Sequence, residues 1–182
     1  MSSKPFRAAM YTALFAASSC ASVQAATLTE HEVEAAFVYH IVKFVEWPAE
    51  FRAGGKLRLC IMGQAPFAKA AALLAGKQVG GRAWEVRHVD FYANLQECRV
   101  LFIAASESDN LRRVLADIKD SAILTVGDSE GYAERGVMVN FYSEQNKVRL
   151  EINTDAVRRG GLKVSSQLLK LARIVNQPRG MQ

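Results

Sequence analysis

Residues 27–176 predict one α/β domain: a mostly parallel sheet flanked by helices, closed by a C-terminal β-hairpin and helix. Three observations carry this. Short apolar runs at 57–62, 99–103 and 122–126 read as buried strands, and the segments between them place apolar residues at helical spacing. At 137–141 and 148–152 the pattern becomes strict alternation on either side of a polar turn, as in a half-buried hairpin. The 182 residues, half of them hydrophobic and 23% charged, are enough for a single core.

The chain opens on a segment outside that domain. Lys4 and Arg7 precede an apolar run from Ala8 to Ala17, and Val23-Gln24-Ala25 supplies a small-residue cleavage site. Residues 1–25 therefore read as a secretory signal peptide, with an apolar run too short to span a bilayer. Lipoprotein processing at Cys20 is disfavoured, because the leucine usual at the start of that pattern is missing. The expected product is exported, and no later apolar run is long enough for insertion in the membrane. Loss of Lys4 and Arg7 takes the formal charge from +5 to +3. The remaining basic residues are scattered rather than interleaved with aromatics, which excludes a nucleic-acid footprint.

In chain order, Thr29 and Glu32 make a capping-box pattern, opening a helix to about residue 46 that stops ahead of Pro48. Its apolar arc holds Val33, Phe37, Val38, Ile41, Val42, Phe44 and Val45, so it packs on a sheet or on other helices. A strand at 57–62 ends at Gly63, and a helix at 66–74 carries Pro66 in its first turn. Residues 79–91 are strand-like, interrupted by Gly80-Gly81. The strand at 99–103 leads to a helix at 106–119, with Leu111, Val114, Leu115 and Ile118 in phase. The strand at 122–126 is followed by a polar connection at 127–135 and then the hairpin. A short helix at 155–159 and a longer one from Ser165 or Ser166 follow, the latter with Leu168, Leu171, Ala172 and Val175 as its stripe. Residues 177–182 form a C-terminal tail.

With Cys20 removed, Cys60 and Cys98 are an even pair in an oxidising compartment. That favours a disulfide over two separate buried thiols, while a metal site there lacks histidines at ligand spacing.

Motifs of catalysis are missing. Gly63-Gln64-Ala65-Pro66 follows a strand and precedes a helix, but lacks the glycines of a dinucleotide turn and the Gly-Lys-Ser/Thr of a P-loop. Pro66 also removes an N–H donor from the helix start that an anion would use. Ser106 and Ser108 sit in no Gly-x-Ser-x-Gly elbow. His31, His40 and His88 fit structural or half-exposed roles, and no carboxylate pair is marked for glycoside chemistry. The reading is of no catalytic residue, no metal and no cofactor.

Interaction is left. Arg149, Glu151 and Asn153 share the polar face of the second hairpin strand, and Leu169 falls off the apolar stripe of the final helix. A docked C-terminal helix, with Glu151 and Asn153 capping the helix at 155–159, explains the same residues structurally.

An ordered set of segments then resembles the YfiR-like family. It comprises Ala36-Phe37-Val38-Tyr39 with Phe44-Val45-Glu46-Trp47-Pro48, Leu59-Cys60-Ile61-Met62-Gly63 with Pro66-Phe67, and Cys98-Arg99-Val100-Leu101-Phe102-Ile103. Ile123-Leu124-Thr125-Val126-Gly127-Asp128, Val148-Arg149-Leu150-Glu151-Ile152-Asn153 and Leu162 to Ala172 continue it. The resemblance covers nearly all of 27–176 and implies an α/β fold, a homodimer and a bond between Cys60 and Cys98. It implies a periplasmic protein that binds the sensor domain of an inner-membrane diguanylate cyclase of the YfiN type. Repression would lower cyclic-di-GMP signalling and biofilm formation, with release under envelope or redox stress. The second cysteine pair of some members is missing here, so redox control through it is unsupported. The expected partner-binding residues are Glu151, Asn153, Ser165, Ser166 and Leu169. The competing expectation is a periplasmic small-molecule-binding sensor module without a cyclase partner.

Overall fold

A computed structural model describes residues 28–51, 55–91 and 93–176. The leader assigned to 1–25 and the tail at 177–182 lie outside the described residues. Within them, no helix is long and apolar enough to cross a membrane.

Helix α1 (Glu30–Ile41) starts as its sequence dictates: Thr29 and Glu32 complete the capping box. It ends earlier than the apolar periodicity predicts. Val42–Phe44 tighten into a 3-10 turn, and Val45–Glu46 become strand β1. The competing interaction is backbone pairing, since Val45 and Glu46 face Val164 and Lys163 of β9 (Lys163–Val164) in a two-stranded sheet. Trp47 follows and is buried.

Strand β2 (Leu57–Met62) comes next, then α2 (Phe67–Ala71) and a hairpin of β3 (Gln78–Val79) and β4 (Arg82–Val89) turning at Gly80-Gly81. After β5 (Val100–Ile103), α3 (Leu111–Asp117) leads to β6 (Leu124–Gly127). Strands β7 (Val139–Glu144) and β8 (Lys147–Asn153) form the expected antiparallel hairpin. Helix α4 (Thr154–Arg159), β9, a single turn of α5 (Ser166–Leu169) and β10 (Arg173–Val175) complete the chain.

Among the described residues, eight strands make the main sheet in the order β10-β8-β7-β6-β5-β2-β4-β3. Five of the neighbouring pairs are parallel, and only β7–β8 and β3–β4 are antiparallel. The fold class read from the sequence is the one observed. Its final helix starts at the expected Ser165 cap but is a single turn, far shorter than the spacing predicts. Leu168, Leu171, Ala172 and Val175 do have helical spacing, but residues 173–175 pair with the open edge of β8 instead. Ile174 and Val175 are β-branched, and an extended conformation gives them a ladder that a helix end lacks.

The strands sort their side chains by parity. Leu57, Leu59, Ile61, Val100, Phe102, Leu124, Val126, Val139 and Phe141 join the core shared with α1 and α2. Cys60, Met62, Leu101 and Ile103 face the opposite layer, against Leu111 and Val114 of α3 and the loop residue Tyr132. On the α3 side Cys60 and Cys98 are joined as a disulfide, with Cα atoms 5.8 Å apart.

Doubly wound sheets bind ligands outside the strand ends where the winding reverses. Here that place, between β2 and β5, is filled. The Gln64 N–H donates to Ser106 Oγ at 2.9 Å, and a Cβ on Gly63 would lie 2.4 Å from the same oxygen. The loop that resembles a phosphate cradle by position is spent on packing.

Candidate functional site

The candidate residues fall into three groups instead, two around the ends of β6, β7 and β8 and one at α5 and β10.

The first lies under the connection between β6 and β7. Alternation puts Asn140, Glu151 and Asn153 on one sheet face, as the sequence predicts. That face is covered by the loop. Asn153 Nδ2 donates to the Ala133 carbonyl at 2.7 Å, and its Oδ1 accepts from Ala156 N, capping α4. Asn140 Nδ2 donates to the Ser129 carbonyl at 3.0 Å and to Glu151 Oε2 at 3.1 Å. Glu151, 2% exposed, also receives Arg173 from β10. Glu151 thus braces the sheet edge rather than capping α4.

The second group is at the surface. Ser165 caps α5, its Oγ accepting from Leu168 N at 3.3 Å, while its own N–H donates to the Phe44 carbonyl. Ser166 is exposed, and Leu169 is half-buried against the core. The next residues carry the exposed apolar surface: Leu171 is 78% exposed and Ile174 45%. Among the described residues, strand β10 has a sheet neighbour on one side only. The structure therefore brings Ser165, Ser166 and Leu169 beside an apolar edge, and places Glu151 and Asn153 in the interior. A long helix would bury Leu171 in its apolar stripe and leave Ile174 off it; the turn into β10 exposes both instead.

The third group was not foreseen as a unit. His31 and Glu34, one turn apart on α1, meet Asp128 beyond the end of β6, with donor atoms all within 4.8 Å of one another. His31 Nδ1 and Glu34 Oε2 are 3.0 Å apart. Burial pushes the Glu34 carboxyl up to about 7, opposed by the His31 hydrogen bond. Burial also raises Asp128, opposed by the nearby His31 charge. This is the grouping among the described residues that could hold a metal ion. The available signal was Glu34 itself, a carboxylate beside Ala35 and Val38 on the apolar side of α1.

Apart from these groups, a cleft of about 440 Å³ opens between α3 and α4. Leu115, Ile118, Ile123 and Met138 line it, and Arg112, Lys119, Arg135 and Arg159 bring positive charge against the single acid Asp120.

A family model described as "DUF4154: YfiR/HmsC-like" matches residues 31–173, a span that includes these groups up to Arg173 and stops one residue short of Ile174. Among solved structures, the chain is similar to a conserved domain protein from Vibrio cholerae O1 biovar eltor str. N16961. That match has a TM-score of 0.57 and 11% identity, over 82% of this chain and 61% of the other. It is also similar to the ABC domain from Streptococcus pneumonia in complex with L-Trp, at a TM-score of 0.53 and 9% identity. There the match covers 80% of this chain and 62% of the other. The chain thus spans about three-fifths of the length of each. At such identities the likeness is one of fold.

Proposed function

The chain belongs to the YfiR/HmsC-like family, and from that premise we propose that it is a periplasmic regulator that binds and represses a membrane-bound diguanylate cyclase. The single observation that carries this reading is the family match from residue 31 to 173, nearly the whole described domain. In this reading the protein acts as a homodimer and without catalysis. It holds the cyclase's periplasmic sensor domain in an inactive arrangement by binding that state preferentially, which lowers cyclic-di-GMP output and biofilm formation.

The partner surface is the edge formed by Ser165, Ser166, Leu169, Leu171 and Ile174. Exposed apolar side chains beside a one-sided strand are what a protein partner covers. Glu151 supports this surface from beneath through Arg173, while Asn153 holds the neighbouring loop and the start of α4.

Co-purification of the exported chain with the sensor domain of a membrane cyclase tests the reading. Wild type is expected to be retained, and Leu171→Asp with Ile174→Asp to be lost while staying folded. Retention of the double variant at wild-type level removes this surface from the proposal, and failure of wild type to bind removes the cyclase.

A second reading, a periplasmic small-molecule-binding module, is favoured by the cleft between α3 and α4. Its apolar floor and basic rim suit a small amphipathic anion.

A further inference from the structure

We infer that His31, Glu34 and Asp128 form a binding site for a divalent first-row transition cation of the zinc type. The donors come from two elements that the fold brings together. His31 and Glu34 share a face of α1 at i and i+3, and Asp128 follows the last residue of β6. Their ligand atoms lie within 4.8 Å of one another, and the closest pair is 3.0 Å apart. Tetrahedral zinc with bonds of about 2.0–2.1 Å holds its ligand atoms roughly 3.3 Å apart. The 3.0 Å His31–Glu34 separation is close to that spacing, and Asp128 lies within reach of both.

Burial and charge point the same way. Glu34 is only 3% exposed, and His31 is its one hydrogen-bond partner among the described residues. Two carboxylates face a single imidazole, and Glu30 on the same helix turn adds a further negative charge. A carboxylate taken out of water without a cation is costly, and a bound metal supplies the missing charge.

Both supports are braced. The Thr29–Glu32 capping box fixes the first turn of α1. Beyond Asp128, the Ser129 carbonyl is held by Asn140 Nδ2, and Tyr132 donates its hydroxyl to the Ala104 carbonyl at 2.9 Å. An imidazole with two carboxylates suits zinc and its neighbours, whereas magnesium and calcium favour all-oxygen shells. His31 and Asp128 are half-buried, so the remaining coordination positions open towards solvent.

The test is calorimetric titration of the exported chain with ZnCl2, and separately with MgCl2, after EDTA treatment and dialysis. One equivalent of zinc is expected to bind and to raise the Tm, with no response to magnesium. Glu34→Gln and Asp128→Asn are each expected to weaken zinc binding by about tenfold or more, the scale seen when a metal site loses one supporting contact. Should Glu34→Gln fail to fold, His31→Gln, at a half-exposed position, carries the same expectation. No zinc binding by wild type overturns the inference. So does zinc affinity unchanged in these variants, which would place the ion at other histidines such as His40 or His88, and so does magnesium binding as tightly as zinc.

Discussion

Arg173, on the outermost strand, reaches the buried carboxylate of Glu151, its register partner on β8. The same guanidinium lies over the Tyr142 ring, 4.2 Å from its centroid. One exposed cation thus ties β10 both to the sheet and to the hairpin beneath it.

Removing that cation leaves Glu151 with Asn140 as its remaining side-chain partner among the described residues. Arg173 is more than half exposed, so solvent screening reduces the effect well below that of a fully buried pair. Arg173→Ala is expected to lower stability by about 1–2 kcal/mol in urea unfolding. Arg173→Lys should recover only part of this, because an ammonium cannot stack flat on Tyr142 while forking to a carboxylate. In the repressor reading, the same variant loosens the partner surface on β10 and weakens cyclase binding.

The disulfide gives a second expectation. Cys60 and Cys98 are both 1% exposed and close a separation of 38 residues. Chain entropy alone gives such a link about 4 kcal/mol, and native disulfides typically contribute about 2–4. The Cys60→Ser, Cys98→Ser double variant is expected to unfold at lower urea by that margin. Thiol labelling of the untreated protein should find neither sulfhydryl free.

The parts of the fold legible in the sequence were those fixed by local alternation and capping. The capping box at Thr29 and Glu32, the apolar runs that became β2, β5 and β6, and the shared face of Glu151 and Asn153 all follow from spacing alone. What was illegible depends on long-range backbone pairing. Val45 and Ile174 sit in helix-like patterns, yet β9 and β8 offer them hydrogen-bonded edges that no local pattern contains. For the same reason Glu151 looked like a surface group. Only the loop from Ser129 to Ala133, folding over the hairpin, turns its strand face into an interior. Glu34 and Asp128 were separated by most of the sheet in sequence, so their meeting with His31 required the fold.

Gly127 offers a test of that loop. A Cβ there would lie 2.6 Å from Tyr132 Cδ2 and 3.3 Å from Asn140 Oδ1. The Tyr132 ring is buried, and its hydroxyl is tied to Ala104, so it has little room to move. Gly127→Ala is expected to cost about 1–3 kcal/mol, the range for overpacking a filled core. Gly131→Ala, in the same loop, meets no atom within 4 Å and suffers only from its positive φ of +76°. A smaller loss is expected there, about 1 kcal/mol. Thermal unfolding of the two variants side by side separates crowding from backbone strain.

Across the sheet, Glu85 on β4 carries a pH-dependent part of the stability. It stands opposite Arg58 of β2 in register, accepts Arg58 Nε at 2.9 Å, and also accepts Arg87. These hydrogen bonds, Arg58 first, hold its carboxyl below the ordinary value of 4.5. Between the lowered value and 4.5 the unfolded chain binds more protons than the folded one. Stability from this group is therefore fully present above pH 4.5 and disappears as pH falls through the folded-state value. Glu85→Gln is expected to melt below wild type at pH 7, with the gap closing in strongly acidic buffer. Because the group is close to solvent, added salt should shrink the gap at pH 7 as well. A difference in Tm that stays constant from pH 7 into acid would show that packing, not charge, makes Glu85 useful.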